Sequence, residues 1–330
     1  MPTVRLRRSD PGRPGYARRR RGSGWSFLDQ RGEPVRDPDE LARLRALVIP
    51  PAWREVWISP YPNGHIQATG IDVAGRKQYL YHPVWRQRQD EAKFDHVLEV
   101  ARRLPALRER VDHDLAGRGL RRARVLATVT RLLDTGIFRV GSDQYAVGDD
   151  PTFGVATLRP EHARSRRGCV VFEFPAKGGI EQVRLVDDPE LCRVLIDLRR
   201  RRRAAERLFG YWDGRDWRDV RADEVNDYLR TASGGEMTAK DFRTWHATVR
   251  AATELAALTV ARSVAARRRA VAGVMREVAE LLGNTPTVAR TSYVDPRVVD
   301  LFHDGVVAPI TPDTPREQAE RAVLTLLERA

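Results

Sequence analysis

CVVFEFPAKGGIEQVRLV, residues Cys169 to Val186, decides the fold of this chain. Apolar residues alternate with polar ones on both sides of Pro-Ala-Lys-Gly-Gly. That is the pattern of a β-hairpin with a tight tip. The sequence around it has helical periodicity instead. Residues 84–117 read as helical, with a break near Pro105. In RARVLATVTRLLDTG the apolar residues Val125, Leu126, Val129, Leu132 and Leu133 recur at helical spacing, and Gly136 closes the helix. Further helices are predicted at about 188–209, 221–232, 238–260, 263–282, 296–304 and 314–329. Thr238 opens one of them with TAKD, a capping-box signature.

Upstream the pattern changes. WSFLD, EVWISP, HIQATGIDV and QYLYHP are short β-branched and aromatic runs between Gly, Pro and Asn punctuation, which predicts strands. Between the first two lies DPDELARLRALVIPP, a short helix capped by Asp37 with Pro38 at its first position. The chain thus reads as α+β. A basic N-terminal arm (1–24) leads into a small antiparallel β-sheet domain with short helices (25–83). A larger, mainly α-helical domain with a small β-hairpin sheet follows (84–330).

Net charge is +13, and residues 1–25, with eight arginines and one aspartate, carry +7 of it. Such an excess predicts a polyanionic partner, nucleic acid before an anionic membrane surface, because no long helix joins a basic face to an apolar one near this end. No apolar run suits a membrane span, and the N-terminus lacks the apolar segment of a secretory signal. Cys169 and Cys192 make neither a disulfide framework nor a close metal-ligand pair, so a cytoplasmic setting is expected. The arginines at 199–203 read as a solvated helix face.

Four places carry candidate chemistry. Arg139 follows a helix end in IFRVGSDQYA and could clamp a phosphate. Lys177 sits at the hairpin tip beside two glycines, where it could act as a general acid or enter a groove. In AKDFRTWHATVR, Lys240, Arg243 and His246 share one helix side and could form an anion-binding face. In GNTPTVARTSYVDP, Asn284 precedes Tyr293 by nine positions. Tyrosine has an ordinary pKa near ~10 and attacks only when cations stabilise its anion. Taken singly, each of these also fits an ordinary surface or core residue. Taken together they match the needs of phenolate attack on a phosphodiester. Two guanidiniums hold the non-bridging oxygens, one neutral donor adds a hydrogen bond, and one acid protonates the leaving oxygen. That chemistry calls for no metal and no nucleotide cofactor.

Arg139 in FRVG, Lys177 in FPAKGG, Arg243 in KDFRTW, and Asn284 with Tyr293 in GNTP…SYVDP resemble the type IB DNA topoisomerases, especially the compact bacterial and poxvirus-like members. PNGHIQATGIDVAGRKQYLYHP is similar to that family's DNA-contacting sheet, and the likeness runs from about Gly22 to about Gly305. The resemblance implies a monomeric enzyme that clamps duplex DNA and nicks one strand. Tyr293 would become a 3′-phosphotyrosine, Arg139 and Arg243 would hold the phosphate, and Lys177 would protonate the 5′ oxygen. Lys240 would contact phosphate or share in proton transfer, Tyr145 would contact phosphate, and His65, Gln67, Lys77 and Tyr79 would meet DNA from the sheet. Asn284 departs from the histidine of many eukaryotic and viral members, leaving a hydrogen-bond donor without acid–base capacity. Two readings stay open beside this one. Tyrosine recombinases share the chemistry but typically carry histidine three positions before the second arginine, where this chain has Lys240. A non-catalytic DNA-binding protein would fit the charge alone.

Overall fold

A computed structural model describes residues 5–22, 24–258 and 263–330. The chain divides into two compact units, 1–94 and 95–330. The division falls inside a long helix rather than at 83/84.

The first unit is a five-stranded antiparallel sheet with strand order β2-β1-β3-β4-β5. Its elements are β1 (Tyr16–Arg21), β2 (Gly24–Leu28), helix α1 (Pro38–Ala46), β3 (Arg54–Ile58), β4 (Ile66–Ile71) and β5 (Lys77–Tyr81). Phe27, Leu44, Ile49, Val56, Ile58 and Ala68 form its core. Asp37 caps α1 as the sequence predicts, accepting from the N–H groups of Asp39 and Glu40. The basic arm is a correction. Its residues 16–21 form β1, paired with both β2 and β3. Arg18 explains how an arginine run enters a sheet. Its guanidinium donates to the carbonyls of Ile49 (2.7 Å), Pro50 (2.9 Å) and Trp53 (3.0 Å), and it lies 3.9 Å from the Trp25 ring centroid.

Helix α2 (Pro83–Leu115) runs across the division into the second unit. Pro105 does not break it. The proline lies on the exposed side, where water can take the hydrogen bond it withholds, while Leu104, Leu107 and Val111 are buried and hold the helix in the core. Helix α3 (Arg122–Leu133) follows, buried along most of its length. The hairpin is present as β7 (Cys169–Ala176) and β8 (Ile180–Val186), with β6 (Ala163–Arg166) on the far side of β7. Val170, Phe172, Phe174 and Ala176 alternate inward along β7, as a half-buried strand requires. Lys177, Gly178 and Gly179 form the tip, and both glycines have positive φ, which favours glycine there.

Helix α4 (Pro189–Arg201) ends before the predicted 209. Arg202 departs from the expected solvated face. It is buried, pairs with Asp219 and donates to the Arg207 carbonyl at 3.0 Å. Two short strands, β9 (Gly210–Trp212) and β10 (Trp217–Asp219), pair as a separate hairpin. The rest is helical: α5 (Ala222–Ser233), α6 (Ala239–Ala257), α7 (Val264–Leu282), α8 (Pro286–Ser292), α9 (Pro296–His303) and α10 (Arg316–Glu328). Helix α8 lies in the interval between the helices predicted at 263–282 and 296–304. Thr285 caps it, its hydroxyl accepting from Val288 N–H at 3.3 Å, and Pro286 takes the first helical position. Among the described residues, no helix is long and apolar enough to cross a membrane.

Candidate active site

The site is built around the C-terminal end of α7. Gly283 ends that helix in the left-handed conformation, with φ of 60°. The last carbonyls are left facing outward, at the negative end of the helix dipole. Two arginines gather on them. Arg139, just beyond α3, donates through Nη2 to the carbonyls of Leu282 and Gly283, each at 3.2 Å, and to Asn284 Oδ1 at 2.9 Å. Arg243, on α6, donates through Nη2 to the same Leu282 carbonyl at 2.7 Å. Its Nη1 donates to Ile137 O at 2.5 Å. One backbone oxygen therefore spaces both guanidiniums.

Neither arginine has a carboxylate partner among the described residues. Burial lowers the pKa of Arg139. Burial, then the charge of Arg139, pushes Arg243 down to about 10, so it remains cationic at neutral pH. Tyr293 stands immediately after α8, half-buried, with the Arg243 Cζ 5.4 Å from its ring centroid. Burial raises the phenol's pKa. The charge and hydrogen bonding of Arg243, with the charges of Arg139 and Lys240, outweigh that and leave it below the ordinary tyrosine value. The Tyr293 backbone is held too. Its carbonyl accepts from the Thr248 hydroxyl at 3.2 Å, and that hydroxyl accepts from Asp295 N–H at 3.1 Å.

Two donors at this place lack partners among the described residues. Asn284 Nδ2 and Arg243 Nε are buried with no hydrogen-bond acceptor. Buried donors are rarely left so without a ligand or water to take them. The arrangement suits an oxyanion: cations spaced by a neutral carbonyl, spare N–H groups, and a phenol biased toward its anion beside them.

A family model described as the catalytic core of eukaryotic DNA topoisomerase I matches residues 82–301, two thirds of the chain. The chain belongs to the type IB DNA topoisomerase family. A second model, the N-terminal domain of bacterial DNA topoisomerase IB, matches residues 24–72. A protein of Acanthamoeba polyphaga mimivirus named DNA topoisomerase 1B is 28% identical over 279 residues, covering 80% of each chain.

Of the residues singled out in the sequence, the fold brings Arg139, Arg243, Asn284 and Tyr293 together, with Lys240 near enough for its charge to act on the phenol. Lys177 stands at the exposed hairpin tip, with no hydrogen bond or ion pair to any described residue. Tyr145 is exposed on a short 3-10 turn, and its carbonyl accepts from Thr152 N–H at 2.7 Å. His246 is a correction to the basic helix face. Its ring turns to Asp134, with Nε2 3.1 Å from Oδ1, away from the arginine cluster.

In the first unit, Gln67 is also corrected. It is 4% exposed, and its amide is spent on the carbonyls of Gly64 (2.7 Å) and Pro62 (3.0 Å), so it cannot reach a base. His65 is half-buried and accepts from Ser9 N–H through Nδ1 at 2.9 Å. Lys77 and Tyr79 are exposed along edge strand β5, and Tyr81 continues their row, its ring stacked on Tyr79 at 5.9 Å. Sequence reading missed Tyr81, although its period-two spacing from Lys77 and Tyr79 was visible. It also missed Thr248, one of three buried threonines on α6, and Arg184 on β8. Arg184 donates to Gln182 Oε1 at 2.5 Å and adds its charge to the surroundings of Arg243.

Proposed function

We propose that the enzyme relaxes supercoiled duplex DNA by transient cleavage of one strand. Tyr293 Oη, having given its proton to solvent, attacks a backbone phosphorus. The Oη–P bond forms as the P–O5′ bond breaks, leaving a 3′-phosphotyrosine and a free 5′-hydroxyl. Arg139 and Arg243 take the charge that builds on the non-bridging oxygens. Asn284 Nδ2 adds a hydrogen bond in the same place. Lys177 supplies the proton that the departing O5′ needs, its two flanking glycines letting the tip come close to the backbone. Resealing is the same step reversed, with the 5′-hydroxyl as nucleophile. The phosphotyrosyl ester keeps the energy of the broken bond, so no ATP is consumed, and the charge is carried by side chains without a metal.

The observation that carries this reading is the shared Leu282 carbonyl, which holds two uncompensated guanidiniums beside a phenol they acidify. Lys77, Tyr79 and Tyr81 give the first unit an exposed basic-aromatic row suited to a nucleic-acid backbone. The test uses negatively supercoiled plasmid, with chelator present and ATP omitted. The wild-type enzyme should relax it, and detergent should trap protein on the 3′ side of the nick. Tyr293→Phe should lose both while still binding DNA. Relaxation by that variant at the wild-type rate would overturn the assignment.

A further inference from the structure

We propose that the C-terminal helix α10, which lies beyond the matched catalytic core, is a positioning element for the phosphate-binding arginines and acts through Arg316 and Glu320. This rests on the transesterification reading above.

The connection is a buried charge network. Arg108 of α2 donates to Asp134 (Nε to Oδ2, 2.8 Å) and to Glu320 (Nη1 to Oε2, 2.7 Å; Nη2 to Oε1, 2.9 Å). Arg316 donates through Nε to Glu320 at 3.0 Å and through Nη2 to both the carbonyl and the carboxylate of Asp134, each at 2.6 Å. His246 Nε2 lies 3.1 Å from Asp134 Oδ1. Asp134 and Glu320 are both under 10% exposed.

The network touches the site from two sides. Asp134 begins the short segment that runs through Gly136 and Ile137 to Arg139. The carbonyls of Gly136 and Ile137 are acceptors for Arg243, at 3.4 and 2.5 Å. His246 stands one turn after Arg243 on α6, so near Gly136 that a Cβ there would meet the His246 Cβ at 2.5 Å. The network thus fixes the Asp134–Arg139 segment against α6, and that contact sets where both guanidiniums sit. α10 closes the network and contributes two of its four charged groups. Such coupling is short-range and mechanical, since a small displacement of the clamps slows chemistry without removing a reacting group.

The test uses the full chain with Arg316→Ala and Glu320→Gln, measuring single-turnover cleavage of a short duplex that cannot be resealed. Binding is read separately, with the same substitutions in the Tyr293→Phe background. Arg316 is nearly half exposed, so its loss should leave the protein folded, as a melting curve will verify. Cleavage should slow about tenfold with binding changed less than about twofold. The rising limb of the cleavage pH profile should also move to higher pH, because a displaced Arg243 acidifies Tyr293 less. In an Arg243→Lys background, Arg316→Ala should add little. Unchanged cleavage, a loss of rate with the pH profile fixed, or an equal loss in both backgrounds would each overturn the proposal. Covalent capture by Tyr293→Phe would instead sink the underlying chemistry.

Discussion

Replacing Thr248 with valine removes one oxygen and nearly no volume, so it isolates the hydrogen bonds that hold the Tyr293 backbone. The hydroxyl donates to the Tyr293 carbonyl at 3.2 Å and accepts from Asp295 N–H at 3.1 Å, in a place where Thr248 is 1% exposed. Valine leaves both backbone groups without that partner. A buried group so orphaned costs about 1–3 kcal/mol, so the pair should cost about 2–6 kcal/mol of a typical total of about 5–15. No cavity term is added, because the shape is kept. The residue immediately before Asp295 in this anchor is Val294, and before that Tyr293, so the loosened backbone carries the proposed nucleophile. Cleavage should fall by about ten- to a hundredfold, while binding of uncleavable DNA is unchanged. Urea unfolding gives the first quantity and single-turnover cleavage the second. If Thr248→Val unfolds and cleaves like the wild type, the hydroxyl is not the anchor described here.

Other perturbations reach the same machinery from different directions. Asn284→Ala removes the acceptor of the 2.9 Å bond from Arg139 and one spare donor, and should slow cleavage about tenfold or more without weakening binding. Arg243→Ala removes the leading cation that depresses the Tyr293 pKa. The phenolate fraction at a given pH then drops, and the rising limb of the pH–rate profile should shift upward, as stopped reactions across a pH series will reveal. Asp134 is held below the usual carboxylate range: burial raises it, but His246, Arg108 and Arg316 outweigh that. A depressed carboxyl contributes stability that is present above its unfolded pKa near ~4 and is lost as pH falls toward its folded value. Thermal melts should therefore decline below about pH 4, and Asp134→Asn should flatten that decline while lowering stability at neutral pH. Gly136→Ala places a Cβ against His246 in a residue with φ of 75°, and should cost about 1–3 kcal/mol in a denaturant melt.

Much of this organisation could be read from residue order. The hairpin around Lys177 showed itself through its alternating runs on either side of a Gly-Gly tip, because β7 buries one face only. Asp37-Pro38 and Thr238-Ala-Lys-Asp marked helix starts because caps are local, satisfying N–H groups a few residues away. What stayed hidden depends on partners far along the chain. Nothing local suggests that Arg18 belongs in a sheet, since its reward is a set of loop carbonyls about thirty residues downstream. His246 has the helical spacing of an anion-binding residue, yet its orientation is decided by Asp134, over a hundred residues earlier. Gln67 lies in a stretch that resembles the family's DNA-contacting sheet, but strand β4 is covered on both sides and turns the amide inward. Helix α8 is too short for periodicity to reveal, although Thr285-Pro286 announces its start.

The Leu282 carbonyl has a consequence for how such an enzyme changes over time. An aspartate in its place would have cancelled the charge it orients, and the phosphate of the proposed reaction would have had to displace it. A peptide oxygen aligns the two cations while leaving their charge for the substrate. It also belongs to the main chain, so mutation of the side chain at 282 does not delete it. Drift at that position is limited by how a leucine-sized group fills the interior, and a comparison of sequences would attribute it to packing alone. The most central acceptor in the site is thus nearly invisible to genetics.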